Sequence, residues 1–152
     1  MSASSTYQIV EPQLTEAIQS SYDILQEFSK EIRFPFRPDL DSIDRMLRNH
    51  KHYCRLVKLG NLCCGGILCL KLTHPFNDSV SMSCECYYWI HPDHRGGTHG
   101  LRLIRGYSNW CERESINISC LVSTESSPSG IDKVYNKLGF NLNERTFTRW
   151  QL

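Results

Sequence analysis

The sequence contains no run of about 18 apolar residues that could form a membrane-spanning helix. It also lacks a basic region followed by an apolar stretch, the pattern of a signal peptide, because the first residues, MSASSTYQIVEP, are largely polar. We therefore expect a soluble, cytoplasmic protein with no membrane partner. Residues 1–5 are expected to form a loose leader.

An excess of charge of either sign is missing as well. The chain has 17 Lys and Arg against 16 Asp and Glu, a formal net charge of +1 at pH 7. Binding to a nucleic-acid backbone depends on a concentrated basic surface, so this balance argues against a nucleic-acid partner. The length of 152 residues suits one hydrophobic core, and we expect a single domain over residues 1–152.

Cysteine is abundant, but its spacing lacks the C-x-x-C pairs from which zinc sites are commonly built. Of the eight cysteines, Cys63 and Cys64 are adjacent and Cys84 and Cys86 are two apart. In an intracellular protein such residues remain reduced. We expect them to pack as small hydrophobic side chains, and we expect no metal site.

Hydrophobic periodicity predicts an α+β or mixed α/β fold with the element order β-α-α-β-β-β-α-β-α-β-β and helices on the sheet faces. The first half comprises a strand at TYQIV, an amphipathic helix over 13–32, a helix from Asp39, a hairpin over 53–72 turning at Gly60-Asn61, and a strand over 80–90. The second half comprises a helix from Gly100, a strand at INISCLV, a helix that starts at Ser127-Pro128 and stops at Gly139, and two last strands, of which the final one is FTRWQL.

Two details of this prediction bear on function. The segment THPFNDS is expected to connect the third and fourth strands. Along the fourth strand, strict alternation places Glu85 on the same face as Tyr87 and Trp89, unless a bulge intervenes.

The joint between the fourth strand and the following helix, WIHPDHRGGTHG, is unusually rich in glycine. A helix that begins after such a turn exposes unpaired N–H groups and the positive end of its dipole, and glycines allow a phosphate to approach closely. The spacing matches neither G-x-G-x-x-G nor the Walker motif. A tight turn that needs positive φ explains the same glycines without any ligand.

Two segments carry a resemblance to a known family. YYWIHPDHRGGTHGLRLI resembles the acetyl-CoA loop of the GNAT N-acetyltransferase superfamily, V-x-P-x-x-R-G-x-G-x-G/A, and VYNKLGF is similar to the family's second signature, L-Y-x-K-L-G-F. The variant with R-G-G is similar to small acetyltransferases encoded in bacteriophage genomes, which would imply the host cytoplasm. Thr98 departs from the pattern, since the family usually has a glycine there. Pro128 lies where an Asn often precedes the second signature.

The resemblance implies a GNAT-like, mostly antiparallel twisted sheet whose fourth and fifth strands splay apart around the pantetheine arm of acetyl-CoA. The main-chain N–H groups of residues 96–101 would bind the pyrophosphate, assisted by the Arg95 side chain. Thr98 would either follow a different loop path or offer its hydroxyl to a phosphate. The implied cofactor-binding residues are Ile90, His91, Pro92, Arg95, Gly96, Gly97, Thr98, His99, Gly100 and Leu101.

The resemblance also implies direct acetyl transfer to a primary amine. Glu85 would be the general base and Tyr135 the general acid, while an N–H group of the strand bulge would polarise the thioester. From the residues alone, Glu85 could equally be paired with an arginine or histidine, and Tyr135 could simply pack its ring. Histidines such as His74 are lesser candidates for the base.

The predicted function is that of an acetyl-CoA-dependent N-acetyltransferase whose acceptor, a protein or a small molecule, the sequence does not identify. The segments RFPFRPDLD and NLNERTF would border the acceptor, with Phe34 and Phe36 either gripping it or filling the core. The alternative is a catalytically weak or inactive GNAT-fold binding protein that acts through a protein partner. A homodimer is compatible with either function.

Overall fold

The computed structural model describes residues 6–35, 37–149 and 151, so Phe36 and the leader lie outside the described residues. A short 3-10 turn, Pro92–His94, separates the fourth strand from the third helix. The helices and strands are β1 (Tyr7–Val10), α1 (Leu14–Glu31), α2 (Leu40–Asn49), β2 (His52–Leu59), β3 (Leu62–His74), β4 (Asn77–Ile90), α3 (His99–Arg113), β5 (Ile118–Cys120) and α4 (Ile131–Lys137).

The strands form one mixed sheet in the order β1-β2-β3-β4-β5. The first three pairings are antiparallel and the β4-β5 pairing is parallel, which confirms the predicted mixed α/β class and its mostly antiparallel sheet. The hairpin turn at Gly60-Asn61 is confirmed too, with Gly60 at φ +60°. The connection between β3 and β4 is shorter than predicted, since β3 continues to His74 and β4 starts at Asn77.

The sheet is covered on both faces, as predicted. One core lies under α1 and α2, and the other lies under α3. Fully buried side chains supply most of the apolar area that stabilises each layer. The first core includes Ala17, Leu47, Leu56, Leu68 and Tyr87, and the second includes Val57, Ile67, Leu103 and Tyr107.

A bulge in β4 changes which residues share a face. Leu68 of β3 pairs with Tyr87 and the next residue, Cys69, pairs with Glu85, so Cys86 is the extra residue. The exception stated with the predicted alternation, a bulge, is therefore observed, and Glu85 does not share a face with Tyr87 and Trp89. Cys86 and Tyr87 both pack toward α1, while Glu85 shares the α3 face with Tyr88.

The fourth helix starts later than the sequence indicates. Pro128 belongs to the preceding turn, where its carbonyl accepts a hydrogen bond from the Ile131 N–H group (3.2 Å), and Gly130 at φ +86° is the residue before the helix. Only glycine adopts this conformation at low cost, so Gly130 sets the start. The predicted stop is confirmed, with Gly139 at φ +87° just beyond Leu138.

The predicted C-terminal strands do not form in the described part of the tail, residues 141–149 and 151. FTRWQL also includes residues 150 and 152, which lie outside the described residues. A new strand would have to pair with an edge strand of the sheet, and the two edge strands, β1 and β5, offer only four and three residues. Leu142 and Phe147 are 77% and 93% exposed, so the tail also lacks a buried face that would stabilise a strand.

Candidate active site

The gap between β4 and β5 opens where their ladder stops. The last register pair is Cys84 with Cys120, whereas β4 continues to Ile90. From Glu85 onward, no other strand in the described chain borders this edge of β4, which confirms the predicted splay. The gap leads into a cavity of about 500 Å³ between β4, the start of α3, the end of α1, and the segment from Val122 through α4.

The start of α3 presents unused hydrogen-bond donors to this cavity. Within the described structure, no main-chain N–H group of residues 96–101 donates a hydrogen bond, and Thr98 provides no side-chain cap. The first helical bond runs from the Arg102 N–H group to the Thr98 carbonyl (3.0 Å). Because the dipole of this 15-residue helix adds positive potential at the same place, the arrangement favours a bound anion.

The glycines of the joint have separate structural roles. Gly96 has φ +96°, so it meets the conformational demand of the turn. A Cβ atom on Gly100 would lie 2.7 Å from the Tyr88 hydroxyl, so a larger residue there would have to displace the Tyr88 side chain where α3 packs on β4. Thr98 has an ordinary φ of −83°, so the path of this loop needs no glycine at that position. The glycines therefore allow the backbone conformation of the turn, and they also leave its N–H groups accessible.

Several predicted cofactor residues line the cavity, namely Ile90, Arg95, Gly96, Gly97, His99, Gly100 and Leu101. Their contact with a cofactor stays a prediction. The His99 side chain is occupied, since its Nε2–H group donates to the His94 carbonyl (2.7 Å) and its ring stacks on Tyr7. His91, Pro92 and Thr98 are not among the lining residues. The His91 N–H group donates to the Cys64 carbonyl (2.8 Å), which ties the turn to β3.

The Arg95 side chain has protein partners in place of the predicted pyrophosphate. Its Nε–H group donates to the Ile90 carbonyl (2.7 Å), and its terminal nitrogen donates to both oxygens of Glu31 (3.0 and 2.8 Å). The Trp89 indole N–H group donates to the same carboxylate (2.8 Å). Burial raises the pKa of Glu31, but the hydrogen bonds from Arg95 and Trp89 outweigh that effect and lower it. The sequence analysis missed Glu31, whose only signal is an acidic residue beside the apolar stripe of α1.

Glu85 is half-buried in the cavity wall. Its Oε2 atom accepts a hydrogen bond from the Val122 N–H group (3.1 Å). Within the described structure it forms no ion pair, so the pairing with arginine or histidine considered above is not observed. Burial raises the pKa of Glu85 to about 7, against the opposing effect of the Val122 hydrogen bond. A carboxyl group with this pKa can exchange a proton near neutral pH.

Tyr135 lies beside Glu85 and, like Glu85, forms a hydrogen bond with the main chain of Val122. Its hydroxyl donates to the Val122 carbonyl (3.0 Å), and its ring packs against Phe140. Burial raises the pKa of Tyr135 well above its ordinary value, and the charge of Glu85 adds to this. The main chain of Val122 thus joins the two predicted catalytic side chains. No side-chain pattern could reveal this, because Val122 acts through its backbone.

A group of hydroxyls lines the cavity between β5 and α4. The Thr124 hydroxyl shares hydrogen bonds with those of Ser126 (3.0 Å) and Ser127 (3.2 Å), and the Thr124 N–H group donates to the Ser127 hydroxyl (2.9 Å). These residues occupy the region where the family often has an Asn. They supply polar groups that a ligand amide could contact.

The predicted acceptor segments lie in different environments. Phe34 is 38% exposed and borders a second cavity of about 440 Å³, together with Lys30 and Arg37. Phe36 is outside the described residues. The NLNERTF stretch does not line the main cavity, and its Phe147 is exposed.

The described residues contain no helix long and apolar enough to cross a membrane. They also contain no cluster of three or more His, Cys, Asp or Glu residues that could hold a metal ion.

No protein-family model matches the chain, and no curated protein matches it in sequence. Solved structures do match. A ribosomal-protein-alanine N-acetyltransferase from Brucella melitensis is 16% identical over 95% of this chain and 99% of that chain, with a TM-score of 0.69. An aminoglycoside acetyltransferase from a soil metagenome, solved with trehalose, is 11% identical over 96% and 95%, with a TM-score of 0.73.

A third structure was solved with acetyl-CoA. It is described as a predicted acetyltransferase from Clostridium acetobutylicum and is 14% identical over 95% of this chain and 96% of that chain, with a TM-score of 0.71. At such low sequence identity, structural similarity establishes the fold only, and the activity has to be argued from the site. The chain therefore has the fold of the GNAT acetyltransferases.

Proposed function

We propose that this protein is an acetyl-CoA-dependent N-acetyltransferase that transfers the acetyl group directly to a primary amine. The observation that carries the proposal is one cavity with two features: unused N–H donors at the start of α3, and a carboxyl group of pKa about 7 at Glu85. The acetyltransferases of the same fold support this assignment.

The cavity suits the parts of acetyl-CoA in order. The N–H groups of residues 96–101 would bind the diphosphate. The pantetheine arm would lie along the free edge of β4 beyond Cys84, where it can form main-chain hydrogen bonds as an added strand does. In that position the thioester would lie near the bulge at Cys86, where an N–H group would polarise its carbonyl.

Glu85 would supply the base for the reaction. An alkyl ammonium with a pKa of about 10 is mostly protonated at neutral pH and must lose a proton before it attacks. Glu85 accepts that proton directly or through a water molecule. Acetyl-CoA, held at the bulge, would supply the acetyl group and the leaving thiolate, and the second proton that the nitrogen loses as the amide forms would pass to that thiolate.

Tyr135 would act on the leaving thiolate. Its raised pKa keeps the hydroxyl protonated, so it can donate a hydrogen bond to the sulfur once it leaves the Val122 carbonyl. A thiol has a pKa of about 8.5, well below that of this tyrosine. Its role would therefore be to donate a hydrogen bond to the thiolate as it forms, and it would act as the general acid only if its pKa falls in the complex.

Calorimetric titration of the full chain with acetyl-CoA and CoA tests the cofactor assignment. Saturable binding at micromolar concentrations is the expected result. Absence of binding at millimolar cofactor would overturn the proposal and leave the alternative, a GNAT-fold binding protein that acts through a protein partner.

Release of free thiol tests the chemistry. The amine panel would contain an alanine-terminated peptide, a lysine peptide, an aminoglycoside and a polyamine, since the structurally similar enzymes act on acceptors of different kinds. We expect thiol release with one of these classes, accompanied by a mass increase of one acetyl group on the acceptor. Binding of acetyl-CoA without transfer to any of them would favour the binding protein.

A further inference from the structure

The contact between Glu31 and Arg95 joins two walls of the cavity that are far apart in sequence. Glu31 is the last residue of α1, and Arg95 immediately precedes Gly96, where the loop of unused N–H groups begins. Both side chains line the cavity, and they are only 26% and 33% exposed. Partial exclusion of water makes this charge-assisted contact, in which one Arg95 nitrogen donates to both carboxylate oxygens, stronger than a surface ion pair.

Arg95 closes the turn that leads into the loop. Its main-chain N–H group donates to the Pro92 carbonyl (3.3 Å), while its Nε–H group reaches back to the Ile90 carbonyl (2.7 Å). The side chain thus spans the turn between β4 and the loop. Glu31 holds the other end of the guanidinium, and the Trp89 indole holds Glu31 in turn.

The hydrogen bonds of the Arg95 side chain go to the protein itself. Within the described structure, the Arg95 side chain donates only to the Ile90 carbonyl and the Glu31 carboxylate. An arginine whose donors are occupied by the protein affects the binding of a neighbouring anion indirectly, by ordering the backbone that contacts the anion. Loop N–H groups bind a diphosphate tightly only if they are already aligned before it arrives, because ordering them on binding costs affinity.

We propose that Glu31 is a positioning residue for the cofactor loop: by holding Arg95 it fixes the backbone at residues 95–97, so that the N–H groups of 96–101 converge on the diphosphate. The inference rests on the proposed function for its ligand. The part of the inference that concerns structure, the ordering of the loop by Glu31, can be measured in the free protein without a cofactor.

The test compares Glu31→Gln, Arg95→Gln and the double variant by their dissociation constants for CoA. If Glu31 acts through Arg95, each single variant weakens CoA binding about tenfold and the double variant is no weaker, because both break one device. If Arg95 instead contacts the diphosphate directly, Glu31→Gln frees it and leaves the affinity unchanged or higher. That outcome would overturn the proposal.

Two comparisons separate positioning from charge and from general stability. Arg95→Lys keeps the charge but loses the guanidinium, whose separate nitrogens reach Ile90 and Glu31. It should therefore bind CoA as weakly as Arg95→Gln does. Glu27→Gln is the matched control, since Glu27 lies one helical turn earlier, is exposed and pairs with Lys30. It should leave the dissociation constant unchanged. In the active enzyme, Glu31→Gln should raise the KM for acetyl-CoA with little change in kcat at saturation.

Nitrogen-15 relaxation of the free protein keeps the proposal testable whatever the cofactor result. Order parameters of Gly96 and Gly97 should fall from about 0.85 toward 0.6 or below in Glu31→Gln, and they should not change in Glu27→Gln. Unchanged order parameters in a folded Glu31→Gln variant would overturn the proposal. If wild-type protein binds no CoA, the proposed function fails, while the relaxation data still decide whether Glu31 orders the loop.

Discussion

The two walls of the main cavity are held in different ways. The wall formed by β4 and the start of α3 is paired with β3 along the length of β4 and is tied to α1 by Arg95 and Glu31. The opposite wall, from β5 to α4, has three ladder pairs, the Val122 contacts and hydrogen bonds among exposed hydroxyls. Under the proposed function, the strongly held wall would position the cofactor, and the weakly held wall would be the one free to adapt to different acceptors.

Replacing Glu85, which lies on the strongly held wall, should have the largest effect. We expect Glu85→Gln to lower kcat at pH 7 by about 100-fold or more, because it removes the base while keeping an oxygen for the Val122 N–H group. In the wild type, kcat should rise with pH through about 7, the pKa of Glu85, and this rise should vanish in the variant. Rates measured from pH 5.5 to 9 check both points.

The matched control is Glu125→Gln, an exposed residue on the opposite wall. Its rate and pH profile should resemble those of the wild type. An unchanged pH profile in Glu85→Gln would assign the proton transfer to another group.

A substitution in the loop of the same wall should weaken the cofactor first. A Cβ atom on Gly97 would lie 2.6 Å from the buried His99 ring, so Gly97→Val must displace the loop. We expect CoA to bind at least about tenfold more weakly, as measured by calorimetry.

Thr98→Ala is the control for this substitution. Thr98 has no cap bond and does not line the cavity, so we expect CoA affinity to change by less than about twofold. A tenfold loss in Thr98→Ala would instead show that its hydroxyl binds a phosphate.

Tyr135→Phe probes the weakly held wall. We expect kcat to fall about tenfold with the CoA dissociation constant unchanged, the pattern of an interaction made mainly in the transition state. Water can satisfy the Val122 carbonyl that loses its donor, because Val122 is 47% exposed. Equal kcat in wild type and variant would mean that Tyr135 only packs against Phe140 and anchors Val122.

The smallest effect concerns stability. Because the folded-state pKa of Glu85 is raised, the folded protein binds a proton more readily than the unfolded chain between about pH 4.5 and 7. The free energy of unfolding should therefore fall as pH rises through this range, by roughly 1–2 kcal/mol. Urea unfolding at pH 5 and pH 8 measures the change, and Glu85→Gln should remove that contribution. An identical pH dependence in the variant would contradict the raised pKa.

Features with a strong local signal could be predicted from the sequence. The apolar stripe of α1, the Gly60-Asn61 hairpin and the stop at Gly139 depend on residues close together in the chain, and all three are confirmed. The joint rich in glycine was also recognisable, because a turn followed by a helix start is encoded within a few residues. Its side chains were harder to predict, since His99 stacks on Tyr7, at the other end of the sequence.

Tertiary structure alone decided the features that depend on a distant partner. The bulge at Cys86 exists because β4 pairs with β3 across it, and this bulge turns Glu85 toward Tyr88 and the cavity. Strand pairing likewise limits β5 to three residues, so β5 offers the C-terminal tail little edge for a further strand to pair with. The local code therefore determined the loop motif and the elements before the C-terminal tail, apart from the start of the fourth helix. Contacts between residues far apart in sequence determined which way Glu85 points and which carboxylate holds Arg95, since neither is encoded in the neighbouring residues.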